Sequence, residues 1–381
     1  MKSIFKEKNI LISLYFLFIL LIFYRSPCLL LKGRFHAEEK FYYEFALNNT
    51  FLETIFFVQE TSKYFELFTN ISAKLATFYT IAPFLVTVYL AFFIKIFLLY
   101  YIFFSKSLLL NKISYKLIFA SFAIYSTPIT PEVWLNTLHS KTFFGIYSFI
   151  LVFQNFKNFT KIKLYLYRIS LVINGLSSIY SSIFSVIYFI IFITKRNSLN
   201  FYNFIYSLIP LVINAFIFLN FFLQSEIKIN RFLFNYEKIE SALYNIIIRP
   251  ILGGNLSKLL YNLINLNKTF LYAFSLIAII LFLALILFFI YKKKDRILNI
   301  ILISLLLNII FVISGSLYPD FVGGRYAVLS GVIFLTIFIR LIQIETKKYL
   351  INLYSSIILI SLIIGLLEFK YLNSWLHLLK C

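Results

Sequence analysis

The sequence predicts an all-α fold, a polytopic transmembrane helical bundle of about eleven spans with a helical first extracytoplasmic loop. Three observations predict it. Hydrophobic residues make up 61% of the 381-residue chain against 13% charged residues, which is far outside the range of soluble domains. Long apolar runs alternate with short lysine-rich segments. Those basic segments fall on one side of the bundle when the runs are threaded alternately through a membrane.

Each predicted span is an apolar run bounded by polar or basic residues. The first run has a basic start and no small-x-small cleavage site after it, which is typical of an uncleaved signal anchor. A turn-like cluster at residues 174–178 divides another long run into two spans. The chain is interpreted as one integral membrane domain, residues 1–381, with spans at 10–24, 76–104, 117–127, 142–153, 164–175, 179–193, 201–223, 270–291, 297–315, 326–344 and 350–367.

The distribution of charge predicts the orientation. With a cytoplasmic N-terminus, the inner segments carry eighteen basic and three acidic residues, and the outer segments sixteen basic and twelve acidic. This asymmetry follows the positive-inside rule of an inner (plasma) membrane protein and accounts for the net charge of +21 without nucleic-acid binding. Lys95 and Arg340 fall within spans and are interpreted as cations near the inner boundary that snorkel to headgroups.

Polar residues gather in the predicted outer loops. The first outer loop, 25–75, holds six of the fifteen acidic residues, and a third outer loop covers 224–269. The second and fourth outer loops lie at 128–141 and 318–326, and the inner loops are little more than basic clusters. Recognition chemistry is therefore expected to face away from the cytoplasm.

Two adjacent glutamates, Glu38 and Glu39, begin a predicted short helix from Ala37 to Asn48. One interpretation is an interfacial helix whose glutamates face water. The other is that one carboxylate accepts a proton from an attacking hydroxyl group. Adjacent helical side chains point about 100° apart, so one would act as base while the other orients a neighbour.

Basic residues near these loops could bind phosphate. Arg325 follows two glycines, and its guanidinium suits a bidentate grip on phosphate. Arg34 precedes the glutamates and could do the same. The alternative for both is a membrane anchor that snorkels to headgroups or flanks the membrane edge.

The second outer loop offers further candidates. Glu132, Asn136 and His139 are spaced to share one helical face, and Trp134 is interpreted as an interfacial belt residue. His36, Glu38 and His139 together could hold a divalent cation, although no spacing enforces such a site.

One segment carries a family resemblance. Arg34-Phe35-His36-Ala37-Glu38-Glu39-Lys40-Phe41-Tyr42, directly after the first span, resembles the first-loop motif of the GT-C glycosyltransferases, polytopic membrane enzymes that take sugars from polyprenyl-phosphate carriers. The second loop, the break at 175–178 and Gly323-Gly324-Arg325-Tyr326 are similar to segments in bacterial members. Glu38 stands where the family usually has Asp, which is a departure. The resemblance implies catalytic roles for Glu38 and Glu39, and substrate-binding roles for Arg34, His36, Tyr42, Glu132, Asn136, His139, Arg325 and Tyr326.

The expected function is transfer of a sugar from a polyprenyl-phosphate donor to a glycan, lipid or protein acceptor on the non-cytoplasmic side. The alternative is a lipid-linked oligosaccharide polymerase, or a flippase or transporter, which should show more charged or broken helices in mid-span. A non-enzymatic scaffold would place its carboxylates apart. An O-acyltransferase would need a histidine deep in a span, and the sequence places none there.

Overall fold

The computed structural model describes residues 2–25, 27–35, 37–60, 64–126, 134–157, 159–224, 236–265, 294–315 and 324–371. All regular elements in these ranges are helical, apart from an isolated bridge between Ser107 and Gln154. Within them, six helices are long and apolar enough to cross a membrane: Glu7–Arg25, Pro83–Phe104, Ser198–Asn220, Arg296–Gly315, Tyr326–Ile344 and Lys348–Phe369. The predicted all-α class with membrane-spanning helices is confirmed at this level.

The other predicted spans are undescribed, shorter or shifted in the structure. Span 270–291 lies outside the described residues. Three shorter apolar helical stretches, Ile113–Tyr125, Leu138–Val152 and Ile179–Lys195, fall where shorter spans are predicted. The span predicted at 76–104 begins instead at Pro83, because proline lacks an N–H and fits the first turn of a helix. The count of eleven therefore stays a prediction.

The chain packs as two compact units. The first comprises the described parts of Met1–Leu117 and Pro131–Ile227. Its elements, with a 3₁₀ turn at Leu138–Ser140, are α1 (Lys2–Arg25), α2 (Pro27–Lys32), α3 (Ala37–Asn48), α4 (Phe51–Ile55), α5 (Leu67–Thr77), α6 (Pro83–Phe104), the first half of α7 (Ile113–Ser121), α8 (Lys141–Val152), α9 (Lys161–Ser177), α10 (Ile179–Ser182), α11 (Phe184–Lys195) and α12 (Ser198–Gln224).

Local sequence explains several helix ends in this unit. Thr50 and Glu53 form a reciprocal capping box at the start of α4. This bonding to Thr50 lowers the pKa of the Glu53 carboxyl below its ordinary value. Ser178 lies between α9 and α10 in extended conformation, and its hydroxyl accepts the Ser181 N–H at 3.4 Å. The helix break thus falls within the predicted cluster at 174–178.

The close approach of α9 and α12 depends on Gly175. A Cβ atom at this position would lie 2.6 Å from Cβ of Pro210, and closer still to its Cγ. Since the proline ring cannot rotate away, Gly175→Ala should force the helices apart and lower stability by roughly 1–3 kcal/mol, more than the gain of alanine in helix propensity. Thermal unfolding in detergent, followed by circular dichroism, measures this change.

Gly315→Ala is the matched control, because among the described residues its added Cβ would meet the Phe311 ring at 3.9 Å, an ordinary contact. A Gly175→Ala protein that unfolds at the wild-type temperature or above would contradict this account of the contact between α9 and α12.

The second unit comprises the described parts of Ile118–Thr130 and Lys228–Leu372. Besides the end of α7 and π-helical turns at Phe122–Ser126 and Tyr244–Ile248, it contains α13 (Tyr236–Leu243), α14 (Arg249–Asn265), α15 (Arg296–Gly315), α16 (Gly324–Ile344) and α17 (Lys348–Tyr371). Helix α16 packs against both α15 and α17. The predicted third outer loop, 224–269, is therefore helical wherever it is described.

Arg340 near the end of α16 does not rely on snorkelling. Its Nε and Nη2 atoms donate to the two carboxylate oxygens of Asp295 at 2.9 and 2.7 Å. Burial alone would raise the pKa of Asp295, but hydrogen bonds from Arg340 and from the Leu298 N–H hold it below its ordinary value. The bidentate ion pair replaces the predicted contact of Arg340 with headgroups.

Candidate functional site

Helix α3 is fixed to the core of the first unit by Glu39. This side chain is only 3% exposed. Its Oε1 accepts the backbone N–H of Thr137 at 2.9 Å and also a short hydrogen bond from the Thr137 hydroxyl. Helix α3, in the predicted first outer loop, is thereby attached to the predicted second outer loop, 98 residues further along the chain. Glu39 acts here as an anchor, and the interpretation that both glutamates face water is wrong for it.

Glu38 differs from its neighbour. It is partly exposed, and within the described ranges no side chain or backbone group bonds its carboxylate. Its position next to the anchored Glu39 fixes the backbone that carries it, while the turn of about 100° per residue points it in another direction. The result is an available carboxylate on a fixed support, as a general base requires.

A second buried network links α3, the N-cap residue of α5 and the first residue of α8. Glu66 accepts the Tyr42 hydroxyl at 2.8 Å and pairs with the Lys141 ammonium, also at 2.8 Å. Lys141 donates to the Tyr64 hydroxyl as well, through a short hydrogen bond. Tyr42 is only 1% exposed. Its predicted contact with substrate is therefore replaced by a packing role, because its hydroxyl is occupied and its ring is enclosed.

The described part of the second loop is not one regular α-helix. Leu135 has a φ of 49°, in the left-handed region, and a 3₁₀ turn follows at Leu138–Ser140. The predicted shared helical face of Asn136 and His139 is wrong, because this backbone does not keep helical spacing; instead the His139 N–H donates to Oδ1 of Asn136 at 3.2 Å. Both side chains are buried. Glu132 lies outside the described residues.

Trp134 is the centre of a buried cationic cluster that the sequence did not indicate. Its indole is 3% exposed, which rules out the predicted position in an interfacial belt. Cζ of Arg25 lies 4.2 Å from the ring centroid, and Nζ of Lys95 lies 4.9 Å from it. Lys95 is completely buried in the middle of α6, so the predicted snorkelling at the inner boundary is wrong. The sequence feature that could have indicated this buried cluster is a single lysine within a 22-residue apolar helix.

The remaining candidates are only partly described. Arg34 is partly exposed in the turn between α2 and α3. Arg325 lies in the first turn of α16, but its side chain is outside the described residues; Tyr326 is partly exposed. Both belong to the second unit, so their meeting with Glu38 stays a prediction.

The predicted divalent-cation site also stays untested. His36 lies outside the described residues. Among the residues the structure describes, no three His, Cys, Asp or Glu side chains are grouped closely enough to hold a metal ion.

The six long apolar helices of the described residues indicate a helical membrane protein, and helices α3, α4 and α5 pack within the first unit. No protein-family model, no curated protein and no solved structure matches this chain. An assignment of function must therefore come from the arrangement of its own residues.

Proposed function

We propose that this protein is a membrane glycosyltransferase that moves a sugar from a polyprenyl-phosphate donor to a glycan, lipid or protein acceptor on the non-cytoplasmic side. The single observation that carries the proposal is the division of labour between neighbouring glutamates. Glu39 is buried and bonded to Thr137, whereas Glu38 is partly exposed and unbonded within the described residues. A scaffold helix would have no need to fix one carboxylate and leave the next available.

The proposed reaction is a single displacement. Glu38 accepts the proton of an acceptor hydroxyl as its oxygen attacks the anomeric carbon of the donor sugar. The bond from that carbon to the phosphate oxygen breaks with its electron pair on the phosphate, and the sugar is transferred with inversion. Cations stabilise the leaving phosphate as charge builds on it. Arg34, in the turn before α3, and Arg325, from the sequence, are the proposed cations.

The proposed topology places this reaction outside the cytoplasm. A cytoplasmic N-terminus in the inner membrane follows from the basic inner segments of the eleven-span interpretation. The loop helices α3, α4 and α5 then lie beyond the outer end of the first span. The acceptor and the sugar carried by the lipid would meet there.

A polymerase, flippase or transporter is the second candidate. It is favoured by one observation, the fully buried Lys95 in the middle of α6, since charged groups inside spans often line a transport path. A flippase or transporter moves the lipid-linked sugar without breaking its bond to phosphate. A polymerase would break that bond but would transfer the glycan to another lipid-linked glycan, so the candidates differ in their products.

The experiment is an assay with the purified full-length protein in liposomes that contain polyprenyl-phosphate sugars labelled in the sugar. Label that moves to an acceptor in a membrane-glycan extract, with release of the polyprenyl phosphate, supports the proposal. Label that crosses the bilayer while still attached to its carrier would establish the transporter instead.

A further inference from the structure

A partly open cavity lies at the C-terminal end of α6, within the first unit. Its wall is formed by the end of α6, the loop that follows it, the segment after α8 and the first turn of α9. Its volume is about 260 Å³. Sites for drug-sized ligands measure roughly 300–1,000 Å³, so this cavity has room for a lipid headgroup and not for a whole lipid. The predicted topology places it at the cytoplasmic end of the bundle.

Hydrogen bonds hold the wall of this cavity in shape. The carbonyl of Lys106 accepts hydrogen bonds from the Asn155 N–H at 3.0 Å and from Nε2 of Gln154 at 3.1 Å. Oε1 of Gln154 accepts a short hydrogen bond from the Tyr101 hydroxyl. The loop after α6 and the segment after α8 are therefore joined directly, and the cavity is formed before any ligand enters it.

The groups of the wall that are left for a ligand are hydrogen-bond donors. Within the described residues, the ammonium groups of Lys106 and Lys163 make no hydrogen bond and no ion pair. Both residues are exposed. Oδ1 of Asn155 accepts the Lys157 N–H at 3.1 Å, which leaves its amide Nδ2 to donate. Since the neighbouring acceptors already bind protein donors, a matching ligand must supply acceptor oxygens.

The described acidic residues do not offset the positive charge of this cavity. At this end of the first unit, Glu7 of α1 lies within electrostatic range of Lys116 and forms no ion pair with a described residue. The other acidic residues described in this unit lie between α1 and α6, in the segment that leads into the opposite end of α6: Glu38, Glu39, Glu44, Glu53, Glu60 and Glu66. The cavity therefore favours an anion, and a phosphate group suits two ammonium groups and an amide donor.

An apolar stripe on α6 leads from the middle of this helix into the cavity. Its members share one helical face because they follow one another at spacings of four, three and four residues: Phe93, Phe97, Tyr100 and Phe104. The first three are exposed by 58%, 39% and 52%. Tyr100 and Phe104, together with Phe159, also belong to the wall of the cavity. Because α6 is long and apolar enough to cross a membrane, its exposed aromatic face is suited to contact with lipid chains.

We infer that this cavity binds the phosphate group of an anionic membrane lipid, with Lys106 and Lys163 as its cations and the acyl chains along the apolar stripe. A free phosphate would meet the same donors, but only a lipid also covers the exposed rings. Basic pockets between membrane helices on the cytoplasmic side suit such headgroups. The inference goes beyond the proposed function, because none of these residues takes part in the proposed sugar transfer and the predicted topology places them at the opposite leaflet.

The test measures the unfolding temperature of the purified full-length protein in phosphatidylcholine nanodiscs that contain an increasing fraction of phosphatidic acid. Nanodiscs of phosphatidylcholine alone are the zwitterionic reference, and inorganic phosphate added to them tests the free anion. We expect phosphatidic acid to raise the unfolding temperature until the site is saturated, with inorganic phosphate much weaker. The double variant Lys106→Gln with Lys163→Gln should need at least about tenfold more phosphatidic acid for half of the effect, since a hydrogen bond to a charged group contributes about tenfold or more in affinity.

The double variant Lys157→Gln with Lys161→Gln is the matched control. It removes the same charge from the same end of the first unit, but neither residue belongs to the wall of the cavity. At physiological salt it should shift the half-point by less than about threefold, because exposed charges at a distance are screened. An equal loss in both double variants would show a general attraction to the basic surface and would overturn the site.

Two further outcomes decide the inference. An unchanged response in Lys106→Gln with Lys163→Gln would overturn the site, and equal stabilisation of the wild type by inorganic phosphate would overturn its assignment to a lipid. In phosphatidylcholine alone this variant should unfold at the wild-type temperature, because the two ammonium groups bond no described residue. If it folds poorly, Lys106→Arg with Lys163→Arg tests the role of charge, since it keeps both cations and should keep most of the affinity.

Discussion

Glu38→Gln is expected to reduce the rate of sugar transfer by about 10²–10⁴-fold while the protein remains folded and keeps its affinity for the donor. Glutamine preserves the size of the side chain but cannot accept the proton of the acceptor hydroxyl. The structure makes this substitution clean, because no group within the described residues bonds the Glu38 carboxylate. The measurement is the initial rate of label transfer in liposomes, with circular dichroism to verify folding.

Glu44→Gln is the matched control. Glu44 lies on the same helix, is 51% exposed, and forms an exposed pair with Lys40 at 3.5 Å. The same chemical change there should alter the rate by less than about twofold, since exposed pairs contribute little. Glu38→Asp should keep part of the activity, because it retains a carboxylate on a shorter stem. If Glu38→Gln transfers sugar as fast as Glu44→Gln, Glu38 is not the base.

Sequence patterns predicted the parts of the fold that depend on residues close together in the chain. Helix α3 has the predicted bounds, Ala37–Asn48, because its composition and apolar spacing are properties of a dozen consecutive residues. The long apolar helices are equally local, since length and hydropathy define them. The break at Ser178 was signalled by its turn-forming neighbours.

Long-range packing decided the rest. Nothing near Glu39 indicates that it, rather than Glu38, bonds Thr137, 98 residues away. The sequence alone does not distinguish two adjacent glutamates on one helix, because contacts with distant residues decide which of them is buried. The burial of Lys95 likewise depends on Trp134, which belongs to another part of the chain. The positive φ of Leu135 could not be predicted from the sequence, because such conformations are usually taken by glycine and rarely by leucine.

Glu66→Gln is expected to lower the free energy of unfolding by about 3–5 kcal/mol, because it leaves the Lys141 ammonium buried without a counter-ion. The two side chains are 1% and 8% exposed and their charged atoms lie 2.8 Å apart. Glutamine can still accept a hydrogen bond from the Tyr42 hydroxyl, so the substitution removes the negative charge but not this hydrogen bond. Unfolding by heat and by denaturant in detergent, followed by circular dichroism, measures the change.

Glu44→Gln again provides the comparison, with an expected loss below about 1 kcal/mol because its pair is exposed. The double variant Glu66→Leu with Lys141→Met should recover much of the stability, since well-packed apolar groups often replace a buried pair at little cost. A loss in Glu66→Gln no larger than that in Glu44→Gln would contradict the importance of this ion pair.

Glu66→Gln should also disturb the proposed active site. The carbonyl of Lys141 accepts the Ser178 hydroxyl at 2.6 Å, and Thr137 lies four residues before Lys141. The ion pair therefore holds the segment that anchors Glu39 and, through it, the helix bearing Glu38. At temperatures where the Glu66→Gln protein is still folded, its rate of sugar transfer should already be lower than that of the wild type. The apolar double variant, which restores packing in this segment, should recover part of the rate. That difference would separate a positioning effect on α3 from simple loss of folded protein.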